Sequence, residues 1–256
     1  MTKQVNISVV VITYNEEENI ARCLQSVVEV ADEILVVDSL SEDETVGIAK
    51  KLGARIIHQK FLGHREQKAL AISKAKYDVV LSLDADEALS PKLNKSIKTA
   101  KDNWSYDGYY VNRLNQLNGR WIKHGGWYPD RKMRLFDRRK YQMGGMNPHD
   151  RFDPIPGAKT TRLSGDLLHY TNDDFEARVA TINKFSSIAA MAFHEKGKKG
   201  NFFRVLTKPF FRFFSEYMLQ SGWRDGYHGY FIAKTSAQYV WLREMKLLWL
   251  SRQARK

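Results

Sequence analysis

Two carboxylates one residue apart, Asp84 and Asp86, directly follow the apolar run at residues 79–83. Like charges set that close at a strand end repel each other, and a cation resolves the conflict. Mg²⁺ and Mn²⁺ prefer oxygen ligands, and Mg²⁺ usually takes one or two protein carboxylates together with substrate phosphates and water. An Asp-x-Asp tripeptide taken alone also suits a solvated loop. Its neighbours narrow the choice. Asp38 ends a second apolar run at 34–37, Thr13-Tyr14-Asn15-Glu16 follows a third at 7–12, and His64-Arg65-Glu66-Gln67-Lys68 supplies cations. One crevice holding all of these would offer a nucleotide diphosphate and a divalent metal the groups they need.

The elements that must bring them together are legible as alternation. Residues 7–12 read as a strand buried on both faces, and Asn15 with Glu18 reads as a capping box opening a helix whose apolar positions are Ile20, Leu24, Val27 and Val28. The unit then repeats. Residues 34–37 form the next strand, Ser41 and Glu44 suggest a second capping box, Ile48, Ala49 and Leu52 face inward, and 54–57 and 79–83 are further strands around a helix at 66–75. Strands alternating with helices predict an α/β fold with a Rossmann-like, mostly parallel central sheet and right-handed crossovers. Ligands in such sheets bind beyond the carboxyl ends of the strands, where the three polar clusters fall. Ser90-Pro91 opens another helix, residues 108–113 and 132–136 are strands, and a long helix covers about 173–194 with Phe175, Val179, Ile182 and Ala189 buried.

Ser8-Val9-Val10-Val11-Ile12-Thr13-Tyr14-Asn15-Glu16, Val36-Val37-Asp38-Ser39 with Ser41 and Asp43, and Leu83-Asp84-Ala85-Asp86-Glu87 together resemble the family 2 glycosyltransferases, which have the glycosyltransferase A fold. The resemblance implies that Asp38 contacts the nucleoside base, Asp84 the ribose or metal, and Asp86 the metal bridging the diphosphate. It places Thr13, Asn15, Glu16, Arg65 and Lys68 around the nucleotide. Leu40 stands where a glycine is usual, so the loop after Asp38 is expected to differ in shape. Residues 131–136, Asn147-Pro148-His149-Asp150 and Leu168-His169-Tyr170 further resemble the bacterial lipopolysaccharide-core β-1,4-glucosyltransferase branch, in which a His-Glu pair stands at the position of His149-Asp150. By that likeness Asp150 is the base that takes the acceptor hydroxyl proton, and His169 completes the metal site. The implied enzyme is inverting, non-processive and dependent on Mg²⁺ or Mn²⁺. It moves one hexose from a donor such as UDP-glucose to a lipid-linked saccharide. A polyprenyl-phosphate acceptor is the alternative within the same family.

Composition sets the remaining bounds. At 256 residues with 43% hydrophobic content the chain can bury a sizeable core, and a lone cysteine, Cys23, cannot form an internal disulfide. No run approaches the roughly 20 apolar residues that span a bilayer. The net charge is +12, and residues 196–256 carry 13 Lys and Arg against 3 Asp and Glu, a net +10. Such a surface suits nucleic acid, anionic lipid or a phosphorylated substrate, and charge alone does not separate them. Residues 202–249 also hold 14 of the 31 aromatics. Lys208-Pro209 is expected to start a helix with Phe210, Phe213, Phe214 and Tyr217 on one side and Arg212, Glu216 and Gln220 on another. The expected organisation is a nucleotide-sugar-binding domain over 1–170 and a helical, acceptor- and membrane-associating region over 171–256. The expected location is cytoplasmic, peripheral at the inner face of the cytoplasmic membrane. A basic nucleic-acid-binding protein is the reading from another class, and the acidic strand ends weigh against it.

Overall fold

The computed structural model describes residues 4–146, 149–171 and 175–253, with the side chains at 145–150 outside the description. In chain order, β1 (Ile7–Thr13), α1 (Ile20–Val27), β2 (Glu33–Asp38), α2 (Thr45–Lys51), β3 (Arg55–His58), α3 (His64–Ser73) and β4 (Val79–Asp84) give the expected alternation. Then come β5 (Glu87–Leu89), α4 (Pro91–Asp102), β6 (Gly108–Leu117), β7 (Arg120–Trp121), β8 (Asp130–Asp137), β9 (Tyr141–Met146), β10 (His149–Pro154) and β11 (Thr160–His169). Three helices follow: α5 (Phe175–Glu195), α6 (Phe202–Phe214) and α7 (Gly226–Gln253).

The chain forms two compact units, Met1–Arg113 with Asp130–Tyr170, and Leu114–Pro129 with Thr171–Lys256. In the first, the sheet order is β3-β2-β1-β4-β8-β6-β11-β5. The strands from β3 to β4 are parallel, whereas β8 enters antiparallel to both β4 and β6, and β11 is antiparallel to β5. Pleat alternation divides the side chains between two faces. Val9 and Val11 pack with Ile20, Leu24 and Val27 of α1 and with Leu93 and Ile97 of α4, while Val10, Leu35, Val37 and Val80 pack with Ala71 of α3. Ser90 caps α4 by accepting a hydrogen bond from Leu93 N at 3.3 Å, with Pro91 at the first helical position.

Both sequence-derived capping boxes near the site are corrected. Asn15 has φ +51° and does not cap α1, which begins at Ile20 behind Asn19. Instead Asn15 and its neighbours tie the loop after β1 to the loop after β2. Asn15 N–H donates to Ser41 Oγ (2.9 Å), Glu42 N–H to Asn15 Oδ1 (2.9 Å), Glu16 N–H to Thr45 Oγ1 (2.8 Å) and Glu17 N–H to Asp43 Oδ2 (3.1 Å). The helix α2 begins at Thr45, whose N–H donates to Asp43 Oδ1 at 3.0 Å, so the anchoring carboxylate is Asp43 and not the Ser41-Glu44 pair. Val28 and Val179, expected in the core, are exposed.

In the second unit α5 and α6 pack on α7, and Leu117, Ile122 and Ile232 form a small core. Lys246 Nζ of α7 donates to Asn183 O, Ser186 Oγ and Ser187 Oγ of α5. Asp225 holds a loop with its carboxylate, accepting from Lys123 N (3.0 Å) and His124 N (2.8 Å). The helix α6 starts at Phe202 rather than at Lys208-Pro209, because Asn201 caps it by accepting from Phe203 N at 2.8 Å, and Pro209 lies inside it. No helix among the described residues is long and apolar enough to cross a membrane.

Candidate active site

The parallel register sets three strand ends side by side. Thr13 pairs with Asp38, Ile12 with Asp84, and Asp38 with His58 at the end of β3. Asp38 is almost fully buried, and its carboxylate accepts from Leu40 N (3.1 Å) and Ser41 N (3.2 Å) with His58 Nδ1 at 3.0 Å. Leu40 adopts φ +69°, the left-handed region that favours glycine, so here the leucine carries a strain of about 1–2 kcal/mol. Thr13 is buried with its Oγ1 unpartnered.

Asp84 lies in a cationic clamp. Lys68 Nζ sits 2.9 Å from its Oδ1, and Arg134 Nη2 3.1 Å from its Oδ2. Burial on its own would raise this carboxyl, but the charges of Lys68 and then Arg134 outweigh it and hold Asp84 well below the usual carboxylate range. The same Arg134 guanidinium reaches Glu87 Oε1 at 2.5 Å, and Glu87 Oε2 accepts from Asp84 N–H at 3.1 Å. Arg113 closes the network with 3.7 Å to Glu87 and 2.8 Å to Asp130, which also pairs with Lys132 at 3.2 Å. Five elements, α3, β4, β5, β6 and β8, thus meet at two acidic residues.

Asp86 differs. Its Oδ2 lies 3.1 Å from His169 Nε2, and its Oδ1 is buried without a hydrogen-bond partner. The pairing of β11 with β5 brings the histidine there, with His169 opposite Glu87 and Tyr170 N–H donating to Asp86 O at 2.9 Å. Nearby, burial raises the Glu16 carboxyl; a hydrogen bond from Asn19 opposes that rise, and the charges of Asp86, Asp43 and Asp84 add to it. A buried carboxylate oxygen with nothing to accept from, an imidazole beside it and a repelled carboxylate next door make a donor set that fits a hard divalent cation. Among the described residues no three His, Cys, Asp or Glu side chains gather closely enough to hold such an ion alone.

Of the residues singled out from the sequence, Asp38, Asp84, Asp86, His169, Thr13, Glu16 and Lys68 come together at the carboxyl ends of the strands. Arg65 Nη2 lies 3.5 Å from Met143 O of β9. The backbone of Asp150 pairs with Gly145 in the β9–β10 ribbon, and its side chain lies outside the described residues. Cys23 is buried and its thiol is pushed well up by burial, so it is a core residue. Sequence reasoning assigned no site role to Arg134, Arg113 or His58. Arg134 carried a signal all the same, being a charge within the apolar run Met133-Arg134-Leu135-Phe136.

Arg134→Met is expected to cost about 3 kcal/mol of folding stability, because it strands the fully buried Glu87 carboxylate without its principal counter-charge. Urea unfolding at neutral pH measures this. A change below about 1 kcal/mol would mean that Arg113 alone neutralises Glu87.

Similarity to known proteins bears on identity. The family model described as glycosyl transferase family 2 matches residues 8–155. An uncharacterised glycosyltransferase of Rickettsia typhi is 31% identical over 263 residues, covering 97% of this chain and 89% of that protein. Another from Rickettsia prowazekii is 32% identical over 262 residues, covering 96% and 87%. The lipopolysaccharide core biosynthesis glycosyltransferase LpsC of Rhizobium meliloti is 27% identical over 257 residues, covering 96% and 93%.

Proposed function

The chain belongs to glycosyl transferase family 2, and we propose that it is an inverting enzyme that moves one hexose from a UDP-sugar to a lipid-linked saccharide of the lipopolysaccharide-core type. Family membership and the observed sheet together make this a glycosyltransferase A fold. The observation that carries the proposal is the pairing of Asp86 and His169 beside a buried, unpartnered carboxylate oxygen at the meeting point of three strand ends. The lipopolysaccharide assignment of the acceptor is supported by the likeness to LpsC over nearly the whole chain. An acceptor of this kind would be met at the inner face of the cytoplasmic membrane.

In this mechanism Asp38 orients the nucleoside base, its own position fixed by Leu40 N, Ser41 N and His58. Asp86 and His169 would hold Mg²⁺ or Mn²⁺, which when bound offsets charge on the departing diphosphate. Asp84 is held in ion pairs by Lys68 and Arg134 and is assigned to the ribose side. A nucleotide arriving there would compete with one of the two cations, and Lys68 is the one whose side chain can turn to a phosphate. Asn15 and Glu16 shape the pocket by lacing the two loops that border it. Arg65 is placed at its outer edge, and Asp150 takes the acceptor proton as the hydroxyl attacks the anomeric carbon.

A donor-hydrolysis screen of nucleotide sugars with Mn²⁺ or Mg²⁺ tests the proposal. UDP-glucose or a related UDP-hexose is expected to yield UDP, and a chelator is expected to stop it. Equal hydrolysis in chelator, or no turnover of any UDP-sugar, would overturn it. Product analysis with saccharide and polyprenyl-phosphate acceptors then separates the two acceptor classes.

A further inference from the structure

The helix α6 packs by one side only. Val205 is buried, and Lys208 and Arg212 turn inward, Lys208 to Glu244 of α7 (2.8 Å) and Arg212 to the buried Glu216 (2.8 Å). The opposite side is apolar and open. Phe203 is 71% exposed, Leu206 60%, Phe210 65% and Phe211 64%, and Phe214 continues the same stripe. The spacing of 203, 206, 210 and 214 is that of one helical face. This is not the face the sequence pattern suggests. Phe213 and Tyr217 stack on each other at 5.3 Å and both meet Tyr230 of α7, so they are packing residues, while Phe210 and Phe214 are not. Isolated exposed apolar residues are ordinary, but a contiguous stripe of large ones marks a surface that is covered in use.

Charge decides what covers it. From Lys196 onward the chain has three acids, Glu216, Asp225 and Glu244, and each is at least 96% buried. Every exposed charge the described residues contribute in this segment is therefore positive, among them Lys198, Lys199, Arg204, Arg224 and Lys234. Two such surfaces brought face to face would repel, which argues against a second copy of the chain. An anionic lipid surface satisfies both features, receiving the aromatics at the headgroup boundary and the cations at the phosphates.

We infer that the Phe203-Leu206-Phe210-Phe214 face of α6, widened by Phe211, inserts into the surface of an anionic bilayer. A lipid-linked acceptor, the premise taken from the proposed function, would be met there. Insertion rather than charge dominates the attachment. Of the seven cations in residues 202–249, Lys208 and Arg243 are engaged by Glu244, Arg212 by Glu216, and Lys246 by α5, which leaves Arg204, Arg224 and Lys234 facing solvent. Binding should accordingly survive salt that abolishes a purely electrostatic contact.

The test is flotation of the full chain with phosphatidylglycerol-containing vesicles and with phosphatidylcholine vesicles. It is run at low salt and near 1 M, where the Debye length is about 3 Å. Wild-type protein is expected to float with the anionic vesicles and to keep most of that binding at high salt. The triple variant Phe203→Ser, Phe210→Ser, Phe211→Ser is expected to lose at least about tenfold in partitioning with an unchanged circular dichroism spectrum, since all three side chains are exposed. Failure of the wild type to float at low salt overturns the inference, as does a folded triple variant that floats like wild type. A wild-type dimer that the variant converts to monomer, without vesicle binding by either, also overturns it. Metal-dependent UDP-sugar hydrolysis, measured on the same preparations, separates the two claims. Hydrolysis without flotation leaves the function standing and removes the membrane face; flotation without hydrolysis does the reverse.

Discussion

Asp86→Ala is expected to abolish metal-dependent UDP binding while leaving the folded structure at least as stable as before. The first half follows from geometry. Asp86 is the carboxylate whose Oδ1 is buried without a partner and whose Oδ2 faces His169, so removing it takes away the oxygen donors and leaves a lone imidazole. The second half follows from electrostatics. Glu16 has a raised pKa because of burial and, in part, the Asp86 charge. A carboxyl with a folded pKa above its unfolded value stabilises the fold below the unfolded value and loses that contribution as pH rises through the folded one. At neutral pH, Glu16 therefore weighs against folding, and removing the neighbouring charge lightens that penalty. Calorimetry with UDP and Mn²⁺ should show no metal-dependent heat for the variant. Thermal melting should show wild type gaining stability from saturating UDP and Mn²⁺, about 2.7 kcal/mol at a hundredfold excess over Kd, and the variant gaining none. Unchanged UDP affinity in the presence of Mn²⁺ would sink the metal assignment, and a variant that melts far below the apo wild type would show Asp86 to be structural.

How much of this was legible in the sequence differs from residue to residue. Asp38, Asp84 and Asp86 were, because each ends or follows an apolar run too short and too continuous to be anything but a buried strand, and parallel strands present ligands at that end. Asn15 was read as a helix cap because Asn-x-x-Glu fits a cap and a cross-loop tie equally well. Only the positive φ of Asn15 and the position of Ser41 distinguish them. Leu40 is the departure from the usual glycine, and the structure holds this leucine at a positive φ. The Arg134–Glu87 pair was hidden for a topological reason. The two residues are 47 apart in sequence, and they meet because β8 inserts antiparallel beside β4 after a long excursion through β6 and β7. Strand propensity does not encode that order. In α6 the sequence pattern puts Phe210, Phe213, Phe214 and Tyr217 on one side, and the position of Tyr230 of α7 divides them, Phe213 and Tyr217 packing against it while Phe210 and Phe214 stay exposed.

Asp150→Asn should lower turnover by about two to four orders of magnitude, the usual range for loss of a general base, with donor affinity nearly unchanged. An inverting transfer forms its new bond as the acceptor hydroxyl loses a proton, so a base is required and no covalent intermediate is. The other carboxylates around the site are already engaged. Glu87 has no exposed surface and gives its oxygens to Arg134 and to Asp84 N–H, so it cannot reach a hydroxyl. Asp84 is clamped by Lys68 and Arg134, Asp86 is assigned to the metal, and Asp130 is bound by Arg113 and Lys132. Asp150 stands in the β9–β10 ribbon, opposite Gly145, at the position where the lipopolysaccharide-core branch carries a glutamate. The amide of asparagine keeps the shape and polarity of the side chain but does not accept the proton at neutral pH, so binding and chemistry should come apart. Single-turnover kinetics with saturating donor would show the loss in the chemical step, and Asp150→Glu, which restores the branch's usual acid, should retain substantial turnover. If Asp150→Asn instead turns over within a few-fold of wild type, Asp130 is the carboxylate to examine next, since its ion pairs to Arg113 and Lys132 are partly exposed and could open to an acceptor.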